Sequence, residues 1–253
     1  MISVFDDAEQ LAQAAAERFV AAARAAVGVS GRFSVALAGG TTPRRVYKLL
    51  ASDAYKNQLE WSKVHIFFGD ERCVPPAHPD SNYRMARETL LARVAVPAAN
   101  VHRIEGAGDA ASGARRYEDE LRAFFKGDEW PRFDLVLLGM GDDGHTASLF
   151  PHTHALAEEQ AWVVANRVEK LRAFRITLTA RAINHAARVV FMVAGAGKAA
   201  RLAEVLHGAR DPERLPAQLI RPLAGSLEWL VDRAAAESLP DADSSEETRA
   251  TQN

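Results

Sequence analysis

The chain of 253 residues lacks several features that would assign it to a class of protein. Its one cysteine, Cys73, excludes an internal disulfide and fits a reducing compartment. It has no uninterrupted apolar run of the roughly 20 residues that span a bilayer, and its acidic N-terminus is unlike a secretory signal. The formal net charge of −2 provides no basic field for nucleic acid. We therefore expect a cytoplasmic protein with neither nucleic-acid nor membrane partners.

Familiar cofactor and nucleophile motifs are also missing. No Lys follows the glycines at 39 and 40, so they do not form a Walker loop, and no Gly-x-Ser-x-Gly nucleophile elbow is present. The histidines near residue 150 match no zinc spacing, so we expect no metal site. Gly139–Gly144 formally matches Gly-x-Gly-x-x-Gly, but Asp142 and Asp143 would place negative charge where a pyrophosphate should bind. We therefore expect no dinucleotide.

Apolar segments of strand length alternate with helical periodicity along most of the chain. This alternation predicts an α/β fold with a Rossmann-like, open, mostly parallel sheet and helices on both faces. We expect one domain over residues 1–237, and a polar, acidic tail over residues 238–253 with the composition of a disordered segment. The elements that matter below are a predicted helix, capped by Asp6 and ended by Gly28, and a predicted helix start at 146–150. The predicted strands lie at 33–38, 64–68, 101–104, 133–140, 162–168, 174–179 and 189–194.

The first of these strands leads into Gly39-Gly40-Thr41-Thr42-Pro43 and then a helix. Glycines allow the backbone to turn tightly and to approach a ligand. The free N–H groups and the dipole at a helix N-terminus favour an anion, and the two threonines add hydroxyl donors. A plain strand-to-helix turn is the alternative, but this turn has more donors than such a turn needs.

Charged residues follow two other predicted strands. Asp70, Glu71 and Arg72 come directly after the strand at 64–68, and Lys198 stands at the start of the helix that follows the strand at 189–194. The carboxyl ends of parallel strands are where ligands bind in open α/β sheets. Each of these segments taken alone could also be a solvated surface.

The segment from Phe133 to Thr153 carries the strongest chemical pattern. A buried strand breaks at glycines, and Asp143 and His145 lie on the break, two residues apart. A carboxylate beside a histidine on such a turn can supply an oriented general base. A bare Asp-Gly-His triplet can equally be a structural turn, and the polar ends of the neighbouring strands favour the catalytic interpretation.

Taken together, these motifs resemble those of the 6-phosphogluconolactonase family. The resemblance covers about residues 1–236 and rests on segments at 39–43, 69–75, 78–83, 139–151, 175–179 and 197–198. It implies hydrolysis of 6-phospho-D-glucono-1,5-lactone to 6-phosphogluconate in the oxidative pentose phosphate pathway, without a cofactor. A sugar-phosphate substrate and a monomer or small homo-oligomer are therefore expected.

The resemblance also implies roles for the candidate residues. His145 would activate water, Asp143 would orient its imidazole, and Arg72 would stabilise the developing oxyanion or orient the sugar. The expected binding residues for the sugar and its phosphate are Gly39, Gly40, Thr41, Thr42, Asp70, Glu71, Arg175 and Lys198, with Arg44 as a further candidate for the phosphate.

Two other functions must be weighed against the lactonase. In the related glucosamine-6-phosphate deaminases/isomerases a catalytic glutamate stands five residues after the histidine, whereas this chain has Phe150 there. A non-catalytic sugar-phosphate regulator usually carries a DNA-binding segment, and no basic helix-turn-helix stretch precedes residue 30. One departure from the lactonases is His152, which stands where they usually have glycine.

Overall fold

Six parallel strands form the central sheet of the computed structural model, which describes residues 1–240. In spatial order the strands are β1, β9, β8, β5, β2 and β3. The nine strands of the two sheets are β1 (Ile2–Phe5), β2 (Phe33–Leu37), β3 (Val64–Phe68), β4 (Asp70–Arg72), β5 (Leu135–Leu138), β6 (Val163–Val168), β7 (Ala173–Leu178), β8 (Arg188–Val193) and β9 (Ser226–Asp232). Strands β2 and β5 are buried along their whole length, as expected where helices cover both faces of a parallel sheet.

Seven α-helices accompany these strands within residues 1–240. They are α1 (Ala8–Ser30), α2 (Thr41–Leu50), α3 (Asn82–Ala86), α4 (Ala110–Phe124), α5 (Ala180–Asn184), α6 (Ala199–His207) and α7 (Arg233–Ala236), and a π-helical turn at Arg87–Leu91 extends α3. No helix in this part of the chain is both long enough and apolar enough to cross a membrane. The predicted α/β fold with a mostly parallel sheet is thus confirmed, while residues 241–253 of the predicted tail lie outside the described residues.

The first helix differs from its prediction at both ends. Asp7, not Asp6, is the N-cap, because its side chain accepts hydrogen bonds from the N–H groups of Glu9 and Gln10. The helix passes through Gly28 and ends at Ser30, and the residue that caps it, Gly31, has a φ of 75°, the left-handed conformation typical of a helix C-terminus. Two glycines three residues apart offered two possible ends, and the second closes the final turn with a hydrogen bond to Val27.

A second, antiparallel sheet contains β4, β7 and β6. The charged segment after β3 is not simply a solvated surface but forms strand β4, and Arg72 pairs with Arg175 of β7. Ile176 and Leu178 of β7 belong to the same hydrophobic core as the central sheet. The second sheet therefore packs tightly beside the carboxyl edge of the first.

Two further predicted elements are absent from the described chain. Residues 146–150 do not begin a helix, because Ala147 has φ of 47° and Thr146 pairs with Leu149 in an isolated bridge. The Thr146 hydroxyl donates to the carbonyl of Gly139 and holds this turn against the end of β5. Of the predicted strand at 101–104, only Val101 forms a bridge, to Ile66.

Candidate active site

A cleft of about 240 Å³ opens at the carboxyl edge of the central sheet. The segments that follow β2 and β5 supply residues 38–40 and 139–141, and β4 supplies the charged side chains of Asp70 and Arg72. The other lining residues are Asn82, His145, Ala147 and Lys198. The structure therefore brings together six of the residues predicted from the sequence: Gly39, Gly40, Asp70, Arg72, His145 and Lys198.

His145 is held on two sides. Its Nδ1 lies 2.5 Å from Oδ1 of Asp143, and its backbone N–H donates to the same oxygen at 3.2 Å. The imidazole ring stacks on the ring of Phe150 with centroids 4.0 Å apart. With the Nδ1 proton donated to Asp143, the lone pair of the imidazole is on Nε2. Because the side chain is 28 % exposed, a ligand in the cleft can reach it.

The surroundings of His145 favour its neutral form. Burial lowers the pKa of His145 to about 4, and the positive charges of Lys198 and Arg72 act in the same direction. The negative charges of Asp70 and Asp142 oppose this shift without reversing it. At neutral pH the imidazole is therefore uncharged and able to accept a proton.

The two consecutive acids of the Asp-Asp-Gly-His turn bind different lysines. Asp142 forms an ion pair with Lys198, and the hydrogen bond from Lys198 lowers the pKa of the Asp142 carboxyl. The second oxygen of Asp143 contacts Lys170, which lies in the turn between β6 and β7. Nothing in the sequence around Lys170 pointed to this contact, because it joins residues 27 apart through the fold.

The Gly39–Gly40 turn leads into α2 beside His145. Gly40 has φ of 103°, a conformation that glycine adopts without strain. Within residues 1–240 the N–H groups of Thr41 and Thr42 have no hydrogen-bond partner, so they are available to an anion. Neither threonine lines the cleft with its side chain, and Thr41 is exposed. The backbone, more than the hydroxyls, forms this wall of the cleft.

Asn82 is a cleft residue that the sequence reasoning did not select. Its Nδ2 donates to the backbone oxygen of Asp70 at 2.9 Å and to Asp70 Oδ1 at 3.1 Å. The hydroxyl of Ser148 donates to Asp70 Oδ2 at 2.6 Å. Asp70 is thereby fixed at the cleft wall. Asn82 is the first residue of α3 and belongs to the segment at 78–83 that the resemblance is based on, so the sequence did point to this region.

Glu71, predicted to bind substrate, points away from the cleft. Its carboxylate is 2 % exposed and accepts hydrogen bonds from the N–H groups of Arg72, Asn82 and Tyr83 and from the Ser81 hydroxyl. Burial raises the pKa of this carboxyl, and these hydrogen bonds oppose the shift. Glu71 thus holds the polar loop against β4.

Arg175 and Arg44 are also outside the lining of the cleft. Arg175 lies opposite Arg72 in the β4–β7 pairing and donates to the carbonyl of Phe174 at 3.0 Å. Burial lowers the pKa of Arg175, and the positive charge of Arg72 adds to the effect. Two neighbouring guanidinium groups create a local positive field at this end of the cleft. Arg44 is exposed on the first turn of α2.

The fold and the cleft define a Rossmann-like α/β enzyme with an acid–histidine pair at the carboxyl edge of its strands. The family profile described as "Glucosamine-6-phosphate isomerases/6-phosphogluconolactonase" matches residues 6–229, so the chain belongs to this family. Within it, the chain groups with enzymes named 6-phosphogluconolactonase, as the relatives described next show.

Two curated relatives named 6-phosphogluconolactonase come from Synechocystis and Mycobacterium tuberculosis. The first is 45 % identical over 85 % of this chain and 88 % of its own length. The second is 41 % identical over 94 % of this chain and 98 % of its own length. The solved 6-phosphogluconolactonase from Trypanosoma brucei superposes with a TM-score of 0.83 at 30 % identity, covering 95 % of this chain and 98 % of that one. A solved monomeric glucosamine-6-phosphate deaminase, 21 % identical with a TM-score of 0.79, shares the fold.

Proposed function

We propose that the chain hydrolyses 6-phospho-D-glucono-1,5-lactone to 6-phospho-D-gluconate in this cleft. The observation that carries the proposal is that the His145–Asp143 pair and the Gly39–Gly40 turn line or adjoin one cleft. A general base and an anion site are the two things that a phosphorylated lactone requires from a hydrolase. The names of the relatives support the same reaction.

The phosphate of the substrate would bind at the Gly39–Gly40 turn. The N–H groups at the start of α2 and the positive end of its dipole favour an anion. Lys198 lines the same cleft and supplies a positive charge, which forms an ion pair with Asp142. Arg175 and Arg44, which lie outside the lining, would act on the phosphate through their field alone.

His145 would act as the general base on the attacking water. Nε2 takes a proton from water while the water oxygen adds to the C1 carbonyl of the lactone. Asp143 keeps the other nitrogen protonated and stabilises the imidazolium that forms. The C1–ring-oxygen bond then breaks, and the imidazolium returns its proton to the leaving ring oxygen. Base catalysis of this kind contributes typically about 10²–10⁴-fold.

Arg72 and Asp70 line the wall of the cleft together with His145. The Arg72 guanidinium also contacts the carbonyl of Asp80. We assign Arg72 to the oxyanion that develops on the C1 carbonyl oxygen, because a positive charge in a partly buried cleft stabilises such an oxygen. Asp70, held by Asn82 and Ser148, is placed to accept hydrogen bonds from sugar hydroxyls.

The deaminase alternative is disfavoured by Phe150. This residue is buried and stacks on His145, at the position where the deaminases carry their catalytic glutamate. A phenyl ring cannot transfer a proton, so it cannot support proton transfer between carbons of an aldose and a ketose. Release of ammonia from glucosamine-6-phosphate by the purified chain would contradict the lactonase proposal.

The direct test generates the lactone with glucose-6-phosphate dehydrogenase and follows its disappearance with and without the protein. Wild-type protein should accelerate hydrolysis well above the spontaneous rate. His145→Ala should remain folded, still bind 6-phosphogluconate and lose most of its turnover. His207→Ala is the matched control, since this histidine is exposed on α6 and outside the cleft. Near-normal hydrolysis by His145→Ala would exclude His145 from the mechanism.

A further inference from the structure

The turn between β6 and β7, residues 169–172, reaches across to the acid–histidine pair. It is a 3₁₀ turn that ends at Arg172 with φ of 49°, and the strands on either side pair from Val163 with Leu178 to Val168 with Ala173. This pairing fixes where the turn lies relative to the rest of the second sheet. Lys170 stands at the tip of the turn.

Lys170 touches both groups that hold His145. Its ammonium contacts the Asp143 oxygen that does not bind His145, and it lies 5.3 Å from the centroid of the Phe150 ring. Asp143 binds Nδ1 of His145, and Phe150 stacks under the imidazole. One cation therefore contacts the two side chains that set the position and the plane of the imidazole.

The Lys170–Asp143 contact is too exposed to be explained by stability. The Lys170 side chain is 56 % exposed, and ion pairs of that kind contribute little to folding. Its geometric effect is larger, because a carboxylate with one oxygen on an ammonium cannot rotate that oxygen onto His145. The positive charge also disfavours a second positive charge on the imidazole nearby.

Resting on the function proposed above, we infer that Lys170 is a positioning residue for catalysis, which orients Asp143 and, through it and Phe150, the imidazole of His145. It acts through these two side chains and does not itself line the cleft. The second sheet thereby supplies a part of the catalytic apparatus that the central sheet lacks.

The test replaces Lys170 with Met, which keeps the length of the side chain and removes its charge, and with Arg, which keeps the charge. In the lactone assay Lys170→Met should lower kcat about 10- to 100-fold, since a misplaced catalytic group costs up to about 100-fold. KM should stay within about twofold, and Lys170→Arg should restore most of the lost kcat. Arg167→Met is the control, because Arg167 lies on the same hairpin but pairs with Glu169.

A second measurement does not depend on turnover. The pKa of His145 is followed by NMR of labelled imidazole carbons in wild type and in both Lys170 variants. Lys170→Met should raise this pKa, because an ammonium is lost and Asp143 is freed to bind the imidazolium more strongly. Asp70, Arg72, Asp142 and Lys198 also face or influence His145, and all four are unchanged in these variants. Lys170→Arg and Arg167→Met should leave the pKa near its wild-type value.

The outcomes separate this inference from the proposed function. If wild type does not hydrolyse the lactone but the pKa of His145 moves in Lys170→Met alone, the proposed substrate is wrong and the positioning of His145 by Lys170 stands. If wild type is active and Lys170→Met keeps normal kcat and a normal His145 pKa, the inference is overturned. A rise in KM at constant kcat would also overturn it, since Lys170 would then bind substrate directly.

Discussion

Gly141 passes so close to His145 that a Cβ on this glycine would lie 2.0 Å from Nδ1 of the imidazole. The ring cannot easily yield, because Asp143 binds it on one side and Phe150 stacks against its face. The glycine at 141 is therefore required by the position of the imidazole and not by an unusual backbone angle. The N–H of Gly141 also donates to the carbonyl of His145 and closes the turn.

Gly141→Ala should displace the imidazole and reduce kcat by about 100-fold, the scale expected for a catalytic group moved by about 1 Å. Binding of 6-phosphogluconate should weaken much less, because the Gly39–Gly40 turn is untouched. The measurement is steady-state hydrolysis of the enzymatically generated lactone, with ligand binding by calorimetry. Gly28→Ala controls for the loss of a glycine itself, because φ at this helical glycine is not left-handed and a Cβ there meets no atom within 4 Å. A normal kcat in Gly141→Ala would contradict this prediction, because the turn at 141–145 would then accommodate the extra methyl group without displacing the imidazole.

The pH dependence of hydrolysis should reveal the lowered pKa of His145. A general base works only when neutral, and the pKa of about 4 keeps it neutral across the range from pH 5 to 7. The enzymatic rate should therefore be level over this range and fall only at lower pH. With an unshifted histidine pKa near 6.5, the rate at pH 5 would be about 30-fold lower than at its plateau.

The lowered pKa of His145 also predicts that the free energy of unfolding depends on pH. The unfolded chain binds a proton on His145 below about pH 6.5, whereas the folded chain does so only near pH 4. Folded protein should thus lose stability as the pH falls through this interval, and His145→Ala should lose less. Circular dichroism at each pH separates this effect from catalysis. A loss of stability between pH 6.5 and pH 4 that is as large in His145→Ala as in wild type would contradict the assigned pKa.

Glu71→Gln should destabilise the protein by about 2–3 kcal/mol, the cost of hydrogen bonds to a buried charged group. Four donors converge on the two carboxylate oxygens, and a glutamine amide would turn its NH₂ toward at least one of them. The measurement is urea unfolding. Glu88→Gln is the control, because Glu88 forms an exposed pair with Arg84 and should change the stability far less. Equal effects of the two substitutions would refute a structural role for Glu71.

Local sequence patterns predicted the central sheet well. The strand at 64–68 has the predicted bounds, and those predicted at 33–38, 133–140 and 189–194 begin and end within two residues of the observed ones, because buried parallel strands are continuous apolar runs. The strand predicted at 101–104 is absent. The patterns failed for β1 and β4, which are short and depend on partners far along the chain. Ile2–Phe5 pairs with β9, more than 220 residues later, and Asp70–Arg72 pairs with β7. A three-residue strand of charged residues has no local apolar pattern to detect.

The candidate site shows the same division. His145, Asp143 and the glycines were detectable because their motifs are contiguous and lie at the ends of strands. Burial and long-range contacts cannot be detected from such motifs. Glu71 was therefore predicted to bind substrate, although its carboxylate is buried. Lys170 was overlooked, although it contacts Asp143. A charged residue after a strand can face the cleft or the protein interior, and only the three-dimensional fold decides between them.

His152 provides a last test, at the position where lactonases usually have glycine. Its φ of 58° is left-handed, which explains the usual residue, and the side chain is 69 % exposed with Nδ1 3.4 Å from Glu213. His152→Gly should change the free energy of unfolding by less than about 0.5 kcal/mol, since relief of strain offsets the flexibility of glycine in the unfolded chain. His152→Val should cost about 1–2 kcal/mol, because a β-branched residue fits this conformation poorly. Urea unfolding of both variants measures the difference, and kcat should be unchanged because His152 lies outside the cleft. Equal stability of the Val and Gly variants would contradict this prediction, and would mean that the backbone at residue 152 leaves the left-handed region when a β-branched side chain is present.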